Sequence, residues 1–157
     1  AIGRRVADLA KMFGARVIYY SASGAPAQDG YTQVDFDTLL AESDILSVHA
    51  PLNEYTEGIM DAEAFRRMKS SAILLNLGRG QIINEADLAE ALNGGTIRAA
   101  GLDVLCAEPM SKENPLLTVR DKDRLLITPH IAWAAVETRQ RLMKIIERQI
   151  REFLSLS

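Results

Sequence analysis

Residues 71–104, "SAILLNLGRGQIINEADLAEALNGGTIRAAGLDV", hold two apolar runs with one helical pattern between them. "SAILLNLG" (71–78) reads as a strand, and "NEADLAEALNGG" (84–95) as a helix capped by Asn84 and stopped by glycines. "TIRAAGLDV" (96–104) reads as the next strand. Two strands joined through a helix run parallel, because a hairpin cannot connect them. This unit decides the fold class.

The same alternation extends in both directions. Upstream, "ARVIYY" (15–20) and "DILSVHA" (44–50) read as strands, with "DFDTLLAES" (35–43) as a short helix between them. "DAEAFRRMK" (61–69) is a helix whose first turn is acidic and last turn basic, as the helix dipole favours. Downstream, "RLLIT" (124–128) reads as a strand, and residues 134–154 as one long amphipathic helix with Val136, Leu142, Ile145, Ile146, Ile150 and Phe153 as apolar candidates. Strands written as continuous apolar runs are expected to be buried on both faces. The pattern therefore predicts an α/β domain with a Rossmann-type, doubly wound parallel sheet.

The 157 residues suffice for one domain with a full core, and 48% apolar with 25% charged residues is ordinary for a globular chain. A net charge of −3 gives no reason to expect a nucleic-acid partner. No apolar stretch approaches the ~18 residues of a membrane span, so no membrane partner is expected. Cys106 stands alone and reads as a small buried filler. It excludes a disulfide framework and a thiol metal cluster, no metal is expected, and a reducing, cytoplasmic setting follows.

Ligands of such sheets sit beyond the carboxyl ends of the strands, so the residues after each strand carry the functional reading. The chain opens on Ala1-Ile2-Gly3 running into a helix, which matches the last part of a G-x-G-x-x-G dinucleotide turn. The strand normally before that turn is the first and central one in the order 3-2-1-4-5-6. The expectation is therefore an N-terminally truncated nucleotide-binding domain over 1–157, lacking its first strand, closed by a C-terminal helix and inactive alone. Ser21 ends the next strand 18 residues beyond Gly3, near the spacing of about 20 at which a ribose-binding acid is expected. A serine there bonds a ribose hydroxyl without repelling a 2′-phosphate, and it reads equally as a turn residue, so NAD and NADP both stay open.

Three further strand ends carry chemistry. Arg79 lies between two glycines in "NLGRG", where its planar fork suits a carboxylate. Glu108 lies in "VLCAEP" and His130 in "TPHIAW", each after a different strand. A glutamate accepting from one ring nitrogen fixes the tautomer of the histidine, which can then exchange a proton with a carbonyl or alcohol oxygen. Trp133 reads as a pocket wall or a packing residue.

"NLGRGQIINEADLAEALNGGTIRAAGLDVLCAEP", followed by "NPLL" and "ITPHIAW", closely resembles the D-isomer-specific 2-hydroxyacid dehydrogenases, with the likeness running from Ala1 to about Leu154. The resemblance implies that Arg79 binds the substrate carboxylate, Glu108 partners the histidine, and His130 is the acid/base. It implies that Asp103 contacts the nicotinamide and that Ile2, Gly3, His49, Pro51, Thr56, Leu77, Gly78 and His130 line the cofactor crevice. It further implies a homodimer, an NAD or NADP cofactor, a small 2-keto or 2-hydroxy acid substrate, and a substrate domain absent from this chain. "ITPHIAWAAVETRQRLM" looks most like the glycerate dehydrogenase/hydroxypyruvate reductase branch. D-Lactate and 3-phosphoglycerate are the alternative substrates, and an NAD(H)-sensing corepressor is the alternative function.

Overall fold

The computed structural model describes residues 2–26 and 29–155, so Ala1 of the dinucleotide turn lies outside the described residues. The elements are α1 (Ile2–Met12), β1 (Ile18–Tyr19), β2 (Thr32–Gln33), α2 (Phe36–Glu42), β3 (Ile45–Val48) and α3 (Ala62–Arg67). They continue with β4 (Ile73–Asn76), α4 (Glu85–Gly94), β5 (Ala99–Leu102), β6 (Leu125–Ile127) and α5 (Val136–Ser155). Helix starts follow the capping rule. Asp35, Asp61 and Asn84 each accept backbone N–H bonds from the first turn of α2, α3 and α4. Helix α4 stops where Gly95 takes a left-handed φ of 72°.

Strands β3-β4-β5-β6 form one parallel sheet in that order, as the strand–helix–strand alternation requires. Among the described residues, strand β1 pairs only with β2, in parallel, and the two form a separate sheet. Register puts Val48, Asn76, Leu102 and Ile127 in one row across the four strands. The residues that follow them therefore emerge side by side along one sheet edge.

Helices α2, α3 and α4 lie side by side and close one face of this sheet. Leu40, Phe65, Leu88 and Leu92 from them pack with Leu46, Val48, Leu74, Ala100 and Leu102 from the strands. The expectation of strands buried on both faces is corrected here. Burial alternates along β3, β4 and β5, and Ile45 and Leu126 are mostly exposed, because neither α1 nor α5 buries a residue. The strand expected over 15–20 contracts to Ile18–Tyr19, limited by a partner, β2, that pairs with it at two positions. Strand β2 itself has no apolar run to announce it.

Candidate active site

Position along the row of strand ends determines what meets. After β5 comes Asp103, and after β6 comes the turn Thr128–Ala134. The Asp103 carboxylate joins them: Oδ1 accepts from Thr128 Oγ1 (2.5 Å) and the Ile131 N–H (2.9 Å), and Oδ2 from the Ala132 N–H (2.8 Å). Burial pushes this carboxyl up, but the Thr128 hydroxyl and the two N–H groups outweigh it and hold its pKa below the ordinary value. The turn so held carries His130 at a left-handed φ of 53°. Its N–H donates to Thr128 O (2.9 Å), and its carbonyl accepts from Trp133 Nε1 (2.7 Å). The indole, though half exposed, is thus a brace of the histidine's backbone.

His130 Nδ1 lies 2.8 Å from Glu108 Oε2. The other oxygen of Glu108 accepts from the Leu105 N–H at 2.9 Å. The Leu105 N–H first, and the His130 ring second, hold the Glu108 carboxyl below its usual range. An ionised carboxylate can only accept, so Nδ1 carries the proton and Nε2 is left as the nitrogen able to exchange one.

Arg79 is exposed on the turn after β4, and among the described residues its guanidinium enters no ion pair. Its Nη1 donates only to the carbonyl of Gly78 (2.7 Å). Asn76, wholly buried at the end of β4, shapes this turn by donating to Arg79 O (2.9 Å) and accepting from the Gly78 N–H (3.0 Å). The sequence reading passed over Asn76, whose signal was a polar residue closing an apolar strand.

The remaining expected residues fall into two groups. Gly3, His49, Pro51, Leu77 and Gly78 gather at the ends of β3 and β4 with the start of α1. A Cβ on Gly3 would stand 3.3 Å from His49 Cβ, and one on Gly78 would stand 3.3 Å from Ala50 O. His49 bonds Ser47 Oγ at 3.0 Å; its ring is partly enclosed though the residue counts as exposed, and desolvation lowers its pKa. Ile2 and Leu77 are exposed. Thr56 is instead buried, its hydroxyl donating to Pro51 O (2.6 Å), so it shapes the 51–56 turn from within. Ser21 stands apart, lining an open cleft of about 680 Å³ with Tyr20, Gln33, Asp35 and Thr38, its hydroxyl 3.3 Å from that of Ser23. Cys106 is not the buried filler expected: the residue is exposed. Its thiol is nevertheless partly enclosed, and burial, then the nearby Glu85 carboxylate, push its pKa up to about 11.

Comparison with known proteins decides the family. The sequence profile described as "D-isomer specific 2-hydroxyacid dehydrogenase, NAD binding domain" matches residues 1–132. The chain belongs to that family. It is 43% identical over 155 residues to a hydroxypyruvate reductase from Blautia hydrogenotrophica, covering 98% of this chain and 47% of the relative. It is 37% identical to a glycerate dehydrogenase from Methylorubrum extorquens, covering 99% and 48%. Among solved structures, an acyclic imino acid reductase, Bsp5, in complex with NADPH and D-Arg, superposes with a TM-score of 0.86 at 35% identity, covering 99% of this chain and 48% of that one. The chain thus spans about half the length of these relatives.

Proposed function

We propose that the protein carrying this domain transfers a hydride between NADH or NADPH and the C2 carbon of a 2-keto or 2-hydroxy acid. We place hydroxypyruvate and glyoxylate, reduced to glycerate and glycolate, as its substrates. The observation that carries the reading is the 2.8 Å His130–Glu108 pair, which joins the loops after β5 and β6 on the sheet edge where Arg79 follows β4, in no ion pair among the described residues. An acid/base and a carboxylate grip are what a 2-keto acid requires.

The residues fit a dinucleotide. A helix N-terminus suits a phosphate, and at the start of α1 and after β4 Gly3 and Gly78 leave no room for a Cβ without crowding the end of β3. Gly3 and Ile2 would hold the pyrophosphate, Ser21 the ribose, and His49, Pro51, Leu77, Gly78 and Asp103 the nicotinamide side. Thr56 supports that wall through the turn it fixes. When bound, the nicotinamide supplies the hydride.

This chain's own residues do the rest. Arg79 grips the substrate carboxylate through two parallel N–H bonds and fixes which face of the carbonyl is presented. His130, protonated at Nε2, gives its proton to the oxygen that becomes the alcohol. Glu108 keeps the ring in the right tautomer, and Asp103 holds the turn in place. In the oxidising direction Nε2 takes the proton back.

The test is a matrix of hydroxypyruvate, glyoxylate, pyruvate and 3-phosphohydroxypyruvate against NADH and NADPH, using the full-length protein. Fastest turnover on the first two bears the reading out, and preference for pyruvate or the phosphorylated acid moves the substrate. Tight NAD(P)H binding with no oxidation on any of them overturns the enzyme and favours an NAD(H)-sensing corepressor. The same reading makes the protein a cytoplasmic homodimer, and a monomeric mass by light scattering would count against that assembly.

A further inference from the structure

We infer that Glu85 is a positioning residue that holds the Glu108-bearing loop against the Arg79-bearing turn; the inference rests on the roles proposed above for Glu108 and Arg79.

Glu85 is the first residue of α4 and only 9% exposed. An acid there is ordinarily explained by the helix dipole. Its oxygens are occupied elsewhere, however, because Asn84 already accepts the N–H groups of Ala86 and Asp87. Glu85 Oε1 accepts from the Cys106 N–H (2.8 Å), and Oε2 from Asn114 Nδ2 (2.8 Å). Asn114, itself buried, uses its Oδ1 to accept from the Leu116 N–H at 2.9 Å. Two donors therefore converge on Glu85 in a buried place, and only a group with two accepting oxygens satisfies both.

The Cys106 N–H belongs to the Leu105–Cys106 peptide, against which Gly80 packs directly; a Cβ on Gly80 would stand 2.0 Å from the Leu105 carbonyl carbon. Gln81 Nε2 donates to the Cys106 carbonyl at 3.3 Å. Leu105, on the other side of that peptide, donates the N–H that orients Glu108 Oε1. One clamped peptide thus sets the Arg79 turn on one side and the histidine's partner on the other. Glu85 is the anchor of that peptide, with its two oxygens turned to Cys106 and Asn114.

The test uses the full-length protein in three forms: wild type, Glu85→Gln, and the double variant Glu85→Gln/Asn114→Asp. Glu85→Gln leaves two donors facing each other. The double variant reverses the bond's polarity, since the introduced amide donates to the introduced carboxylate, whose other oxygen still accepts from Leu116. The readouts are the titration of Glu108, followed by carboxyl-carbon NMR and assigned through Glu108→Gln, and the pH profile of kcat/KM with NADPH. In Glu85→Gln the Glu108 midpoint and the acid limb should both move to higher pH, as the Leu105 N–H drifts from the carboxylate. Turnover should fall about 10- to 100-fold, the usual consequence of ångström-scale misplacement, with NADPH affinity unchanged. The double variant should return all three towards wild type. A folded Glu85→Gln whose Glu108 titrates as in wild type overturns the inference, as does a double variant that restores nothing. If Glu85→Gln does not fold, Glu85→Asp carries the same test, because one methylene less cannot reach both donors. Should the wild type reduce no 2-keto acid, the proposed function falls while the Glu108 titration still decides the role of Glu85.

Discussion

Replacing Gly80 by alanine strikes the contact between the two loops of the site. The added Cβ would stand 2.0 Å from the Leu105 carbonyl carbon, 2.1 Å from its oxygen and 2.4 Å from the Cys106 nitrogen. Carbon atoms settle at about 3.5–4.0 Å, so the two backbones must part by about 1.5 Å. All three atoms are main chain, and no side-chain rotation relieves the clash. Overpacking of this kind costs about 1–3 kcal/mol, read as a fall in Tm. Because the displaced peptide orients Glu108 while Gly80 follows Arg79, kcat/KM should fall more steeply than stability, by about 100-fold for a shift above 1 Å. Gly94→Ala is the control. Its Cβ would meet only Thr96 Oγ1 at 3.7 Å near the end of α4, and it should stabilise by about 0.4–1 kcal/mol with kinetics unchanged. Thermal melts and steady-state rates on the full-length protein measure both. A Gly80→Ala protein with wild-type Tm and kcat/KM would refute the reasoning.

His130→Ala should reduce kcat by at least about 100-fold while NADPH titration stays close to wild type; near-normal turnover would remove the acid/base from this residue. Arg79→Lys should mainly raise KM for the 2-keto acid, since a point charge cannot reproduce a planar fork, and unchanged KM and kcat would argue against the grip. Asp103→Asn turns an amide N–H towards the Ala132 N–H and should cost on the order of 2 kcal/mol, read as a fall in Tm. The Glu108 carboxyl titrates below its usual value in the fold, so its contribution to stability is present above the unfolded pKa of about 4.3 and is lost as pH falls through the folded one. Tm against pH should therefore lose part of its acid slope in Glu108→Gln, and an unaltered slope would count against the pairing.

Strands β3 to β6 were legible because each lies in a short apolar run, and their ends pointed to Arg79, Glu108 and His130 without any tertiary information. Strand β2, Thr32–Gln33, was not, since two polar residues pair only because the chain returns them beside β1. Burial on both strand faces was over-read from apolar runs, which report what a strand could bury and not what covers it. At the site, the roles hardest to see belong to side chains that bond across the fold. Glu85 looks in sequence like any acid at a helix start, and its partners Cys106 and Asn114 are 21 and 29 residues away. Trp133 could be read as wall or filler, and only the 2.7 Å bond to the His130 carbonyl shows the brace.

The left-handed backbone at His130 sets stability and chemistry against each other. A non-glycine residue in that region costs roughly 1–2 kcal/mol, so the position would be more comfortable as glycine. Selection for stability alone would thus drift residue 130 away from imidazole. The fold offsets that pull with the three bonds to Asp103 and the indole of Trp133, groups that need not touch a substrate. Variants of these two residues that remain folded would be the ones to tolerate, and then to favour, a glycine at 130.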